Sequence, residues 1–146
     1  MQLDLGGKVA VVTGGSLGIG RAVAAELSAE GADVLIVARD PDRLAATARA
    51  ISEASGRQVA ISAGDMTVAT DIDRAMDRAR QTFGKVDILV NNAGASPMGR
   101  IADTPDAVWE KSINLKLMGY VRAARNVLPG MRERRWGRIV NIIGRS

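Results

Sequence analysis

Short apolar runs alternate along the chain with longer segments whose apolar residues recur at helical spacing. Runs such as 34–37 and 88–90 are apolar without interruption, which is typical of parallel strands covered on both faces. The pattern predicts strands near 8–13, 33–38, 58–62, 86–90 and 138–143, and helices near 18–30, 41–55, 68–83 and 105–134. Because strands separated by helices form right-handed βαβ units, we expect an α/β fold with a doubly wound parallel sheet between two helical layers.

Glycine and proline mark the ends of these segments. Gly31 is predicted to end the first helix, and Pro41 to open the second. Pro105 is predicted to open the fourth helix, with Thr104 before it as the capping residue. The Pro129–Gly130 pair predicts a break or kink towards the end of that long helix. The last apolar strand then lies at the open edge of the sheet, where we expect a longer protein to cover it.

Length and composition describe an ordinary globular protein. The chain has 146 residues, of which 47% are hydrophobic and 25% charged, so we expect one domain over residues 1–146. No apolar run is long enough to cross a bilayer, and the N-terminus lacks the basic and apolar regions of a secretory signal. We therefore expect a cytoplasmic protein with no membrane partner.

Two residue types are absent from the chain, and their absence narrows the chemistry. Without cysteine there is no disulfide, thiolate metal site or cysteine nucleophile. Without histidine there is no Ser-His pair, and the commonest general base and metal ligand is missing. We expect no metal site, and any proton transfer must use Tyr, Lys, Asp, Glu or a cofactor.

Basic residues concentrate near the C-terminal end. Residues 111–146 carry 9 basic groups and a single acidic one, Glu133. The arginines at 132, 134, 135 and 138 could form a nucleic-acid patch, but they could equally be a cationic helix C-terminus, which the helix dipole favours. We adopt the second interpretation and expect no nucleic-acid partner.

A glycine-rich turn, Thr13–Gly20, directly follows the apolar run 9–12 and precedes a helical segment. Glycines let a backbone approach a ligand closely, and the first amides of a helix point unpaired N–H groups outward. The turn therefore predicts a pyrophosphate site, although a tight turn without a ligand is the simpler alternative. The residues assigned to this site are Gly14, Ser16, Leu17, Gly18, Ile19 and Gly20.

The second strand closes with Ala38 and Arg39 rather than with an acidic residue. An acidic residue there would bind the adenosine ribose of NAD, whereas a guanidinium can fork onto a 2′-phosphate. Arg39 therefore favours NADP over NAD. The alternative is a surface arginine that pairs with Asp42, while Asp40 can cap the next helix.

Two further segments follow the third and fourth strands. Asp65 can accept from an adenine amino group and Met66 can supply an amide, although Asp65 could instead cap the helix that starts near 68. Asn92, Ala93 and Gly94 are small enough to let the backbone approach a cofactor at the switch point of the sheet. Asn91 can tie neighbouring strands through its amide.

Together these segments resemble the short-chain dehydrogenase/reductase family. Thr13–Gly20 is similar to its Thr-Gly-x-x-x-Gly-x-Gly motif, Asp65 to its adenine-side aspartate, and 91–94 to its Asn-Asn-Ala-Gly motif. The resemblance implies a Rossmann-like sheet of strand order 3-2-1-4-5, a nicotinamide cofactor and a small carbonyl or alcohol substrate. Family domains have about 250 residues, so the chain resembles the first five strands of such a domain.

The resemblance also implies that subunits of the protein pair with each other. The fourth helix, with Leu117, Tyr120, Val121 and Ala124, is similar to the surface through which family members pair, so we expect a homodimer or homotetramer.

Members of the family catalyse with a Tyr-x-x-x-Lys pair, a serine and an asparagine, and this chain departs from that pattern. The only tyrosine here is Tyr120, with Ala124 four residues later, and we interpret it as a packing residue.

The serine and the asparagine are also displaced. Gly144 stands where the family's serine is expected, and Ser146 follows two residues later. Asn114 begins an Asn-Leu pair like the family's, yet counting from the flanking residues puts Lys116 at that position. Since two helix positions differ by about 200° of rotation, we expect only one to face the site, and the count favours Lys116. The catalytic candidates are Lys116, Asn114 and Ser146.

Three functions remain open from the sequence. The chain could be the cofactor-binding part of an NADP-dependent oxidoreductase, an NADP-binding scaffold that has lost standard reductase chemistry, or a sensor of NADP levels.

Overall fold

A computed structural model describes residues 3–94 and 99–143. Its sheet has five parallel strands in the order β3-β2-β1-β4-β5, which confirms the predicted architecture and strand order. The strands are β1 (Val9–Thr13), β2 (Asp33–Ala38), β3 (Val59–Ala63), β4 (Ile88–Asn91) and β5 (Arg138–Asn141). The α-helices are α1 (Gly18–Ala29), α2 (Pro41–Ser55), α3 (Ala69–Phe83), α4 (Asp106–Ile113) and α5 (Gly119–Glu133).

The central strands are buried on both faces because their side chains alternate between two separate cores. Val11 and Leu35 belong to one core with Ile72 of α3, and Val127 of α5 packs into the same cluster. The neighbouring strand residues, such as Val12, point the other way into a core formed with α1 and α2. This double burial explains why the strand runs are apolar without alternation. Because all five strands run parallel, their carboxyl ends lie along one side of the sheet, where ligands bind in such folds.

The predicted fourth helix, 105–134, is not one continuous α-helix. Its two α-helical parts are joined by a single π-helical turn, Asn114–Met118, called the π turn below. Of the predicted break or kink at Pro129–Gly130, the break is wrong, because α5 continues through Pro129 to Glu133. Proline has no N–H to donate to the carbonyl oxygen four residues earlier, at Arg125. Pro129 and Arg125 are both on the exposed side of the helix, so that carbonyl oxygen faces water.

The start of α4 also differs from the prediction. The Thr104 hydroxyl donates to the carbonyl oxygen of Arg100 at 2.8 Å, so it does not cap the helix. The helix begins at Asp106, after Pro105. By contrast, the predicted cap of α2 is confirmed: the Asp40 carboxylate accepts hydrogen bonds from the amides of Asp42 and Arg43.

Two of the four arginines near the C-terminal end, Arg134 and Arg138, contact partners inside the molecule. The buried carboxylate of Asp87 lies 2.9 Å from Lys85 Nζ and 3.4 Å from Arg134 Nε. The Trp136 ring lies under Lys8 Nζ, 3.9 Å from the ring centroid, and Arg138 also stacks on it. Arg134 and Arg138 therefore take part in contacts within the protein.

The last strand lies at the edge of the sheet, as predicted, and β5 ends at Asn141 rather than continuing to 143. Its exposed positions include Val140. Ser146 and Gly144 lie outside the described residues. Within residues 3–94 and 99–143, no helix has both the length and the apolar character needed to cross a bilayer.

Candidate cofactor site

The glycine-rich turn is folded tightly against the loop that follows β4. Gly14 adopts a positive φ of 66°. A methyl group added at Gly20 would lie closer than 3.0 Å to both the Gly14 carbonyl oxygen and the Asn92 side-chain nitrogen. Only glycine fits at position 20, because the Gly14 carbonyl oxygen and the Asn92 side chain lie so close to it. This close contact packs the glycine-rich turn against the 92–94 loop.

The start of α1 leaves backbone donors open to a ligand. The Arg21 amide is the first to pair, donating to Leu17 at 3.1 Å, and no bond within the described part of the chain uses the amides of Gly18, Ile19 or Gly20. The first turn carries no acidic residue. Gly18 has a φ of 52°, and a Cβ built on it would project into open space. Unpaired amides at a helix N-terminus, with open space beside Gly18, fit a pyrophosphate.

The other predicted residues of the turn surround this opening. Leu17 and Ile19 are exposed at its rim. Ser16 is buried, and its carbonyl oxygen accepts a hydrogen bond from the Thr47 hydroxyl at 3.2 Å. Ser16 therefore anchors the turn to α2 through its backbone, which leaves its own predicted contact with a ligand as a prediction.

Thr13 connects the turn to the 92–94 loop, a role that sequence reasoning did not assign to it. Its hydroxyl oxygen accepts hydrogen bonds from the amides of Asn92 and Ala93, each at 3.0 Å. The Asn92 side chain donates in return to the carbonyl oxygens of Thr13 and Gly14, at 3.1 and 3.3 Å. The available signal was a hydroxyl at the end of an otherwise apolar strand.

Asn91 ties neighbouring elements, as predicted. Its amide nitrogen donates to the Asn141 side chain at 3.0 Å, which joins β4 to β5, and reaches the Tyr120 carbonyl oxygen of α5 at 3.5 Å. Tyr120 is confirmed as a packing residue, because it is half-buried and its hydroxyl donates to the Ile142 carbonyl oxygen at 3.1 Å. Burial raises the pKa of the Tyr120 phenol above its usual value.

Arg39 and Asp65 lie together at the ends of β2 and β3. Arg39 is exposed, and the described residues show no ion pair between it and Asp42; the pair formed nearby is Arg43 with Asp40, at 3.5 Å. Arg39 is close enough to Asp65 to help lower the pKa of that carboxyl group. The guanidinium is therefore accessible beside a carboxylate, where the ribose and adenine of a dinucleotide would lie.

The Asp65 carboxylate is held by the loop rather than used as a helix cap. One of its oxygens, Oδ1, accepts from the Thr67 amide at 2.9 Å and from the Thr67 hydroxyl at 2.8 Å. The Thr67 amide bond is the main cause that holds the pKa of Asp65 below its usual value; burial opposes it, and the charges of Arg39 and Lys111 act in the same direction as the hydrogen bond. Helix α3 begins only at residue 69. The second oxygen, Oδ2, takes no hydrogen bond from the part of the chain that is described, so it is available to an adenine amino group.

Met66 follows in the same loop. Its side chain is buried in the core shared with α3 and α5. Its backbone amide takes part in no hydrogen bond given by residues 3–94 and 99–143, which leaves its predicted contact with adenine as a prediction.

Asn114 and Lys116 both lie in the π turn and contact different loops. The Asn114 side chain donates to the Thr67 carbonyl oxygen at 3.2 Å and accepts from Arg122 at 2.7 Å. Lys116 instead lies over Gly94, where an added Cβ would be 2.5 Å from Lys116 Cε. Of the two candidates, Lys116 is thus the one that packs on the loop after β4, and Ser146 lies outside the described residues.

Comparison with known proteins decides the family. A family model described as short chain dehydrogenase matches residues 8–145. The chain belongs to the short-chain dehydrogenase family. This agrees with the Rossmann-like sheet and with the glycine turn and Asn-Asn-Ala-Gly loop of the site.

Individual members of the short-chain dehydrogenase family give the extent of the match. D-beta-hydroxybutyrate dehydrogenase of Cupriavidus necator is 40% identical over 94% of this chain and 53% of that protein. An uncharacterized oxidoreductase of Staphylococcus saprophyticus is 35% identical, over 97% of this chain and 60% of that protein. L-sorbose reductase of Gluconobacter frateurii, solved with NADPH and L-sorbose, superposes with a TM-score of 0.91 at 42% identity, over 95% of this chain and 53% of that one. The chain therefore spans about half the length of these relatives.

Proposed function

We propose that this chain provides the cofactor-binding half of an NADP-dependent oxidoreductase that transfers a hydride between the nicotinamide and a carbonyl or alcohol substrate. The observation that carries the proposal is that no hydrogen bond among the described residues uses the amides of Gly18, Ile19 and Gly20, with open space beside Gly18. A similar reductase binds NADPH and L-sorbose, which supports this cofactor class and a small polar substrate.

The residues present fit a dinucleotide along the carboxyl edge of the sheet. The glycine turn would hold the pyrophosphate, Arg39 a 2′-phosphate, and Asp65 with Met66 the adenine. Asn92, Ala93 and Gly94 would border the nicotinamide half. When bound, the nicotinamide supplies or accepts the hydride. The chain's own contribution is to orient the dinucleotide by these contacts.

Few side chains of this chain could transfer a proton to or from the substrate. Residues 1–146 contain no Tyr-x-x-x-Lys pair. Lys116 is the group that we propose to face the substrate side, since it lies over Gly94, with Asn114 and Ser146 as the other candidates. We propose that this chain by itself binds NADP but reduces carbonyls inefficiently.

The test of cofactor selection is Arg39→Asp. The substitution removes a charge-assisted contact with the 2′-phosphate, which is worth about 1.5–3 kcal/mol when buried and less at an exposed site. NADPH binding should therefore weaken about tenfold, and the preference of the protein for NADPH over NADH should become smaller. The matched control is Arg49→Asp, the same charge change at an exposed arginine of α2. Fluorescence titration with NADPH and NADH gives both affinities. Equal loss in the two variants would refute the role of Arg39.

A second candidate function is an NADP-binding scaffold without standard reductase activity. It is favoured by Lys116 in place of the family's asparagine and by Gly144 in place of its serine. The two functions are separated by NADPH consumption with a panel of ketones, measured on this chain and on a version extended to the full length of its relatives. Tight NADPH binding with no consumption by the longer protein would favour the scaffold.

We also propose that the protein pairs through α4, the π turn and α5. Trp109, Ile113, Leu117 and Val121 follow each other at intervals of four residues and are 37–57% exposed. Tyr120 and Ala124, predicted for the same surface, are half-buried instead, and Ala124 packs against the core. Light scattering should give a dimer or tetramer, and Leu117→Glu should shift it towards monomer. A monomeric unaltered chain would refute this surface.

A further inference from the structure

The loop that carries Asp65 is bonded directly to the π turn that carries Lys116. The link is Thr67, whose amide holds the Asp65 carboxylate at 2.9 Å. The carbonyl oxygen of the same residue accepts from the Asn114 side chain at 3.2 Å and lies 3.5 Å from Arg122 Nη1. Thr67 therefore bonds to the Asp65 carboxylate through its amide and to the π turn through its carbonyl oxygen.

Arg122 completes this connection from the next turn of the helix. Its guanidinium donates to Asn114 Oδ1 at 2.7 Å, so both polar atoms of the Asn114 side chain are used within the protein. The Asn114 side chain is thus hydrogen-bonded to the 65–67 loop and to α5. Its contacts are those of a positioning residue.

Close packing at Gly119 reinforces the same junction independently of these bonds. A Cβ added at Gly119, the first residue of α5, would be 2.7 Å from the Met66 carbonyl oxygen. Because the backbones touch here, the loop and the helix cannot move separately by much. A displacement of the 65–67 loop must be passed to the π turn.

We propose that Asn114 and Arg122 form a clamp that transmits occupation of the adenine site to Lys116. Binding at Asp65 would shift the Thr67 peptide, and the clamp would carry that shift to the π turn and hence to the lysine over Gly94. The inference rests on the proposed NADP site. It assigns Asn114 to positioning and makes the placement of Lys116 depend on the bound nucleotide.

The probe is adenosine 2′-monophosphate, which has neither the pyrophosphate nor the nicotinamide and so does not occupy the glycine turn or the Gly94 side. The chain contains four lysines, at 8, 85, 111 and 116, so ¹³C-lysine NMR resolves each ε-methylene, with Lys116→Arg giving the assignment. Lys111 acts on Asp65 electrostatically and reports binding, while Lys8 lies at the opposite end of β1 and serves as the unmoved reference.

In the unaltered chain the probe should shift both the Lys111 and the Lys116 signals. In Arg122→Met, which keeps the aliphatic stem, Lys111 should still shift, while the Lys116 shift should fall to less than a third. Arg125→Met, an exposed arginine of the same helix, is the matched control and should behave like the unaltered chain. Asn114→Ala should reproduce the Arg122→Met result, which guards against a folding defect in one variant.

The outcomes separate this inference from the proposed function. A Lys116 signal that stays still in the unaltered chain while Lys111 moves would overturn the clamp alone. So would an undiminished Lys116 shift in both Arg122→Met and Asn114→Ala. Should no lysine respond at millimolar probe, and NADPH also fail to bind, the proposed function is refuted and the clamp with it.

Discussion

Gly20→Ala tests the close contact on which the cofactor site is built. The added methyl would come within 3.0 Å of the Gly14 carbonyl oxygen and of Asn92 Nδ2. Neither atom can withdraw freely, since Asn92 Nδ2 is bonded to the carbonyl oxygens of Thr13 and Gly14. The substitution must therefore separate the glycine turn from the 92–94 loop.

The expected loss follows from three contributions. Overpacking at a close contact costs about 1–3 kcal/mol. Breaking one or both Asn92 hydrogen bonds costs about 1 kcal/mol each, while alanine in place of a helical glycine returns about 0.5–1 kcal/mol. We expect Gly20→Ala to lower the free energy of unfolding by about 2–3 kcal/mol. NADPH affinity should fall with it, because the two loops of the site move apart.

Gly18→Ala is the matched comparison, since it changes a neighbouring glycine in a different environment. Its methyl would meet nothing within 4 Å, so the cost to the folded state is the positive φ alone, about 1–2 kcal/mol. The same methyl would occupy space in front of the open amides, and NADPH affinity should fall at least tenfold. Urea unfolding followed by tryptophan fluorescence, and NADPH titration, measure the two effects. Gly20→Ala as stable as the unaltered chain would refute the close contact.

Two further substitutions test other parts of the site. Thr13→Val keeps the side-chain shape but leaves the amides of Asn92 and Ala93 without their acceptor. The free energy of unfolding, measured by urea unfolding, should therefore fall by about 2–3 kcal/mol. An unchanged midpoint of the urea transition would contradict this prediction. Asp65 has a lowered pKa, so its ionised form stabilises the fold above the usual carboxyl range, and that stabilisation is lost as the pH falls through the folded pKa. Asp65→Asn should therefore be less stable than the unaltered chain at pH 6, with the difference shrinking towards pH 3; a difference independent of pH would show that the charge of Asp65 plays no part.

The sheet was predictable because its signal is repeated in every strand. Runs such as 34–37 are apolar at each position, and only a strand covered on both faces buries them all. The cap at Asp40 was predictable for a similar reason, since the carboxylate and the amides it binds are neighbours in sequence. Strand order needed the family resemblance, because hydrophobic periodicity says nothing about which strands are adjacent.

Local rules failed where a different nearby bond, exposure to solvent or a contact distant in sequence offered a better arrangement. The sequence Thr104–Pro105 has the pattern of a helix start, yet the hydroxyl of Thr104 bonds backward to Arg100. Pro129 has the pattern of a break, yet α5 continues through it on an exposed side. Thr13 was missed because its partners, Asn92 and Ala93, lie some 80 residues away in sequence and become neighbours only when β1 and β4 pair.

The choice between Asn114 and Lys116 shows why geometry had to decide the rest. Sequence reasoning assumed α-helical rotation, under which residues two apart face different directions and only one can serve the site. The structure has a π turn at these residues, which widens the helix locally and is a feature often found at functional sites. Asn114 contacts the 65–67 loop and Lys116 contacts the loop after β4, so the two residues adjoin different parts of the proposed cofactor site. The expectation that only one of the two residues could contact the site rested on the α-helical period, which the π turn does not follow.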